Sequence, residues 1–144
     1  FTYRENQMIK QLRTGQKIMI NKIKNLIFTP TVSGKKAVQK AKDGNVLFLD
    51  VRESIERKKY IIQNSKHISS LKIKTRIKEL EEYINYDIIV YCASGIRSKM
   101  TTVFLNSNGF NAFNLKGGIK SYLNAENNGN SKNSNFTWDD CWYL

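Results

Sequence analysis

Cysteine, histidine and proline are nearly missing from this sequence. Its two cysteines, Cys92 and Cys141, cannot make the disulfide framework that staples small secreted domains. With a single histidine, His67, they also fall short of a tetrahedral zinc site, so no metal and no other cofactor is expected. An unpaired thiol points instead to a reducing intracellular compartment, the cytoplasm or an organelle such as a mitochondrion or plastid. No apolar run approaches the ~18 residues of a spanning helix, so no membrane span is expected. Acids are scarce as well: 12 Asp+Glu stand against 24 Lys+Arg.

That imbalance is local. Residues 1–42 hold ten Lys/Arg and one acid, Glu5, whereas residues 43–144 hold 14 against 11. A basic arm could meet a polyanion, but lysines also make solvated faces at little cost, and nucleic acid is set aside as a partner. The chain opens on Phe1 rather than methionine, which reads as a processed or shortened protein.

The 144 residues suffice for one ordinary domain with extensions. Residues 1–26 carry Met8, Ile9, Leu12, Met19, Ile20 and Ile23 near helical spacing, interrupted at Gly15, and form a basic helical extension. A short strand is expected to end near Pro30. Ser33 then caps a helix that Gly44 stops. "NVLFLD" and "DIIVY" are nearly continuous apolar runs, the mark of parallel strands buried on both faces. "VRESIERKKY" and "KTRIKELEEYIN" read as helices, "KHIS" as a short strand, and "SKMTTVFLNSNG" as a helix that Gly109 ends. "AFNL" and "GGIKSYL" supply a last strand and a last helix. Strand and helix alternate throughout, so the expected fold is α/β, a parallel sheet with helices on both faces. Residues 27–123 are the domain proper. Residues 124–144 are an Asn-rich linker and an aromatic tail, "FTWDDCWYL", expected to dock back on the domain.

The chemistry concentrates in "VYCASGIRSKM". Cys92 stands where a strand ends and a helix begins, the place where open parallel sheets carry their sites. Ala93, Ser94, Gly95 and Ile96 form a loop short enough to turn its N–H groups inward as an anion nest. The helix start near Ser98 and the fork of Arg97 add positive potential. Together they are expected to depress the pKa of Cys92 and make it a nucleophile without a histidine base. A buried cysteine is more often a small hydrophobe; here the glycine, the arginine and the helix start in register favour catalysis. Cys141 could pair with Cys92 as a disulfide, but nearby acids favour a bystander thiol.

At this point the sequence resembles the rhodanese-like family. "YCASGIRS" resembles the active-site loop Cys-x-x-Gly-x-Arg-Ser, "LFLDVRESIE" the Asp-x-Arg strand end with Asp50, Arg52 and Glu56, "KHIS" the Gly-His-Ile element, and "LNSNGFNAFNLKGGIKSY" the closing Gly-Gly segment. The resemblance implies a sheet of about five parallel strands and a thiosulfate sulfurtransferase. Cys92 would carry a sulfane sulfur as a persulfide, from a small anionic donor to cyanide or a thiol, with an acceptor protein a further candidate partner. Residues Ala93, Ser94, Gly95, Ile96, Arg97 and Ser98 would bind the donor, and Asp50 and Arg52 would brace the strand ends. Related phosphatases place the arginine one position further on, so the tighter ring here favours sulfur over phosphate. A non-catalytic interaction module using the terminal extensions is the competing reading. The chain departs from the family in the ten-residue run "RKKYIIQNSK" between Glu56 and His67, in Lys66 for glycine and in Tyr122 for tryptophan. His67 is taken as structural.

Overall fold

The computed structural model describes residues 13–129, together with Arg4 and Gln7. Met8, Ile9 and Leu12 of the basic extension lie outside the described residues, as do the aromatic tail and Cys141.

Five parallel strands form one sheet in the order β1-β5-β4-β2-β3. The two central strands are the two apolar runs, β2 (Val46–Asp50) and β4 (Asp87–Tyr91), paired from Val46 with Asp87 to Asp50 with Tyr91. Alternate residues of each strand serve opposite faces, which is why both runs are nearly continuously apolar. One face holds Leu47, Leu49, Ile88, Val90 and Cys92 under helix α4 (Ile96–Ser107). The other holds Phe48, Ile89 and Tyr91 under α2 (Gly34–Asp43) and α5 (Gly118–Gly129). Burying each such side chain contributes about 1.5–3 kcal/mol, so the two layers carry most of the stabilisation.

The outer strands are short: β1 (Thr31–Val32) beside β5 (Asn111–Leu115), and β3 (Lys66–His67) beside β2. Ser33 caps α2 as expected, its hydroxyl accepting from the Lys36 N–H at 3.2 Å. Gly44 (φ +81°) ends α2 and Gly109 (φ +87°) turns the chain after α4.

Four local expectations fail, each for a physical reason. The strand near Pro30 follows the proline instead of ending at it, because α1 (Thr14–Ile27) runs on as helix until Thr29 Oγ1 donates to the Asn25 and Leu26 carbonyls. Pro30 keeps only its carbonyl for the sheet, and that accepts from the Asn114 N–H at 2.8 Å. "VRESIERKKY" yields only a 3₁₀ turn, Ser54–Lys58, since Arg52 holds the Glu56 and Tyr60 carbonyls at 3.1 and 2.6 Å. The expected helix over residues 74–85 divides into α3 (Ile73–Arg76) and a 3₁₀ stretch, Ile77–Tyr83, which buries Leu80 but leaves Ile84 exposed. Finally, α5 continues to Gly129, into the stretch expected as linker. Once Ile119 and Tyr122 anchor that helix on the sheet, each further turn costs little even for asparagine.

Candidate active site

The loops after β4 and β5 lead to helices on opposite faces of the sheet, α4 on one and α5 on the other, and so part to leave a crevice. Cys92 lies at its floor, fully buried. Gly95 adopts φ +101°, a conformation open to glycine, and this turns its N–H back toward the sulfur, 3.1 Å from Cys92 Sγ. The same residue starts α4: its carbonyl accepts the Lys99 N–H at 3.2 Å. From the other side, the Ile119 N–H donates to the Cys92 carbonyl at 3.0 Å. That approach requires Gly118 (φ +63°), where a Cβ would strike the Ala93 carbonyl oxygen and lie 2.5 Å from that of Cys92.

Burial by itself pushes the Cys92 thiol up. The Ser98 hydroxyl, 3.4 Å from Sγ, and the N–H groups of Ser98, Gly95 and Ser94 outweigh it, and the thiol ends below its ordinary value. These are fixed dipoles facing a buried sulfur, the arrangement that holds a thiolate without a neighbouring base. Ser94 and Ala93 are exposed at the crevice mouth, and Ile96 is exposed on the first turn of α4. Ser98 is buried and its hydroxyl donates to Asn114 Oδ1 at 2.6 Å.

Arg97 has a carboxylate partner as well as the sulfur. Its guanidinium grips Glu56 with two hydrogen bonds of 2.6 Å each, and its charge also interacts with Cys92. The Arg97 bonds hold the Glu56 carboxyl below its usual range, and Glu56 in turn raises Arg97. The sulfur is therefore faced by backbone N–H groups and the Ser98 hydroxyl, with the Arg97 charge shared between it and the Glu56 carboxylate.

Asp50 and Arg52 do pair. Arg52 donates from Nε to Oδ1 at 3.0 Å and from an Nη to Oδ2 at 2.8 Å, with Asp50 fully buried and Arg52 nearly so. Arg57 adds a third donor at 3.1 Å. Burial raises the Asp50 carboxyl, but these arginines overcome it and leave the group below its usual range. His67 Nε2 meets the Arg52 carbonyl at 2.8 Å and so steadies the backbone of this pair. Tyr91 spans the same region: its hydroxyl accepts the Ile62 N–H at 3.3 Å and donates to Ser65 at 2.9 Å, pinning the ten-residue run between Glu56 and His67. Burial and the nearby Asp50 push that phenol up to about 12.

Three contacts escape sequence reasoning, although Glu56 and the glycine pair are themselves visible in the sequence. Glu56 stands 41 positions from Arg97, and nothing local joins them. Gly118 is visible only as one of a glycine pair. Asn114 did leave a signal, since it puts a polar side chain at an inward position of the strand "NAFNL".

A sequence model of the rhodanese-like domain matches residues 33–125. The chain belongs to the rhodanese-like family. Solved structures agree on the fold: a rhodanese-related protein from Thermoplasma volcanium, 29% identical, superposes with a TM-score of 0.61 over 66% of this chain and 91% of that one. A NAD-dependent persulfide reductase from A. fulgidus, 27% identical, superposes at 0.54 over 74% of this chain and 18% of its own. Among curated proteins, the tRNA uridine(34) hydroxylase of Buchnera aphidicola subsp. Schizaphis graminum is 32% identical over 107 residues, 68% of this chain and 34% of the relative. The enzyme of the same name from Wolbachia sp. subsp. Brugia malayi is 39% identical over 66 residues, 44% of this chain and 24% of its own. The rhodanese-like chain thus spans about a third of the Buchnera protein it matches over most of its own length.

Proposed function

We propose that this rhodanese-like domain is the thiol-bearing catalytic part of a tRNA-modifying activity, with Cys92 as the nucleophile and a uridine as the site of modification. The observation that carries the reading is the buried Cys92 sulfur facing the Gly95 N–H and the Ser98 hydroxyl, in a chain similar to hydroxylases that are named for tRNA uridine. Nucleic acid, set aside on composition, thereby returns as a partner. A scaffold would need neither the thiol nor its donors, which argues against the interaction module. The test is nucleoside mass spectrometry of tRNA from a host lacking its own tRNA uridine(34) hydroxylase, expressing either this chain or Cys92→Ser. A uridine-derived product that depends on Cys92 supports the reading. A product that persists in Cys92→Ser, or no product from the wild-type chain, overturns it.

A second reading, sulfane sulfur transfer, is favoured by the size of the ring. The thiolate attacks the outer sulfur of thiosulfate, the S–S bond breaks, and sulfite leaves with the bonding pair. Cyanide or a thiolate then takes that sulfur from the Cys92 persulfide and restores the thiolate, so the cycle needs no outside oxidant. The N–H groups of Ser94, Gly95 and Ser98 suit the charged terminal sulfur. Intact mass should show one added sulfur after thiosulfate, and thiocyanate should form with cyanide. A wild-type chain that does neither excludes this donor.

A further inference from the structure

The Ser98 hydroxyl has one proton and two claims on it. Its oxygen lies 2.6 Å from Asn114 Oδ1 and 3.4 Å from Cys92 Sγ. In this arrangement the proton lies on the short bond to the amide, and Ser98 presents a lone pair to the sulfur. That pattern matches a thiol, whose S–H donates to the oxygen. It does not match a thiolate, which can only accept. If Ser98 turned its proton to a thiolate, its lone pairs would face the Asn114 carbonyl oxygen at 2.6 Å, a repulsive pairing.

An amide has a way out that few groups share. Its oxygen and nitrogen ends are nearly the same size, so a half-turn about the last bond exchanges acceptor for donor within the same volume. Asn114 is buried on the sheet face that also carries Val90 and Cys92, and its nitrogen end lies against Gly95, where no Cβ intrudes. After a half-turn, Nδ2–H donates to Ser98 Oγ, and Ser98 is free to donate to the sulfur.

We infer that Asn114 is a positioning residue whose amide orientation sets the direction of the Ser98 hydroxyl and so follows the ionisation of Cys92. The S–H bond breaks, the proton leaves to water, and the amide and hydroxyl reverse together. Charged neighbours are accounted for already. Arg97 on α4 is paired with Glu56, and Asp50 on β2 with Arg52 and Arg57; Glu53 lies near the rim pair, and Tyr91 on β4 stays protonated. Lys99 on α4 is half-buried, Lys116 before α5 is exposed, and β5 contributes no titratable side chain. The inference deepens the reading of Cys92 as nucleophile.

The test reads the thiol directly, without tRNA or a sulfur donor, so its failure is separable from failure of the proposed activity. In the full chain, the rate of iodoacetamide alkylation at Cys92, followed by peptide mapping apart from Cys141, gives a midpoint against pH. Asn114→Asp keeps the shape but only accepts, and should raise the midpoint by about one unit, a roughly tenfold rate loss below it. Asn114→Leu leaves the Ser98 proton no partner except sulfur, and should leave the midpoint at or below that of the wild type. In a Ser98→Ala background the gap between the two variants should shrink. Equal shifts in the same direction for Asp and Leu, or an undiminished gap without Ser98, would overturn the inference. Should a variant not fold, the wild-type chain decides: the Asn114 side-chain NH₂ resonances must titrate with the Cys92 midpoint, and resonances that stay fixed refute the coupling.

Discussion

Asp50→Asn is the substitution from which the charged network should be read. Asp50 accepts from the Arg52 backbone N–H at 3.0 Å, from the Arg52 side chain at 3.0 and 2.8 Å, and from Arg57 at 3.1 Å. Its side chain is 0% exposed and that of Arg52 is 5%. An amide keeps the volume but deletes the charge, leaving the Arg52 guanidinium buried without a counter-ion. Breaking one half of such a pair costs roughly 3–5 kcal/mol, far above a surface ion pair. For a domain of this size that amounts to a fall in melting temperature of roughly 10–20 °C. The loss should spread, since Arg52 also holds the Glu56 and Tyr60 carbonyls, and Glu56 holds Arg97. Denaturant unfolding of the wild type, Asp50→Asn, Arg52→Met and Asp50→Leu/Arg52→Met measures it. The double variant should lose less than the two single losses added together, because it leaves no unpaired charge. The pH dependence carries a sign. Asp50 sits below its unfolded value, so its stabilisation is complete above about pH 4 and is lost as pH falls through the depressed folded value. Asp50→Asn should lack that part of the acid dependence. A loss under about 1 kcal/mol, the range of an exposed pair, would refute the buried-pair reasoning.

Other substitutions separate the parts of the site. Gly118→Ala forces a Cβ against the Ala93 and Cys92 carbonyls at φ +63° and should cost about 2–4 kcal/mol, with Cys92 alkylation slowed by the displaced loop; a wild-type melting curve counts against the close approach. Glu56→Gln breaks a pair whose side chains are 37% and 31% exposed, so stability should fall by no more than about 1 kcal/mol. The released Arg97 charge should then lower the midpoint of Cys92 alkylation, and an unchanged midpoint would mean Arg97 does not reach the sulfur. Tyr91→Phe strips the anchor from Ile62 and Ser65 and should cost about 1–3 kcal/mol, with faster proteolysis within residues 57–66; equal proteolysis of both proteins refutes the anchor.

Legibility along the chain followed the range of the forces involved. The runs "NVLFLD" and "DIIVY" are apolar because both faces of a central strand are covered, and they read correctly as parallel strands. Ser33 and Gly44 bound α2 through their own backbone and hydroxyl, so the cap and the stop were visible in place. Periodicity misled where a tertiary contact overruled it. Arg52 reaching to the Glu56 and Tyr60 carbonyls reduced one expected helix to a 3₁₀ turn, and packing of Ile119 and Tyr122 extended another into asparagines.

The loop from Cys92 to Ser98 was determined by sequence alone, since its strand end, its glycine and its helix start are neighbours whose geometry follows from local backbone rules. That locality is why a thiol stabilised by N–H groups could be expected before any coordinates. The state of Arg97 was decided only by the fold. Its charge, expected at the sulfur, is shared with a carboxylate from the loop after β2, and a partner so distant in sequence is chosen by how the strands stack. The same holds for Asn114, placed beside Ser98 because β5 lies against β4 in a register that sets Asn114 opposite Val90.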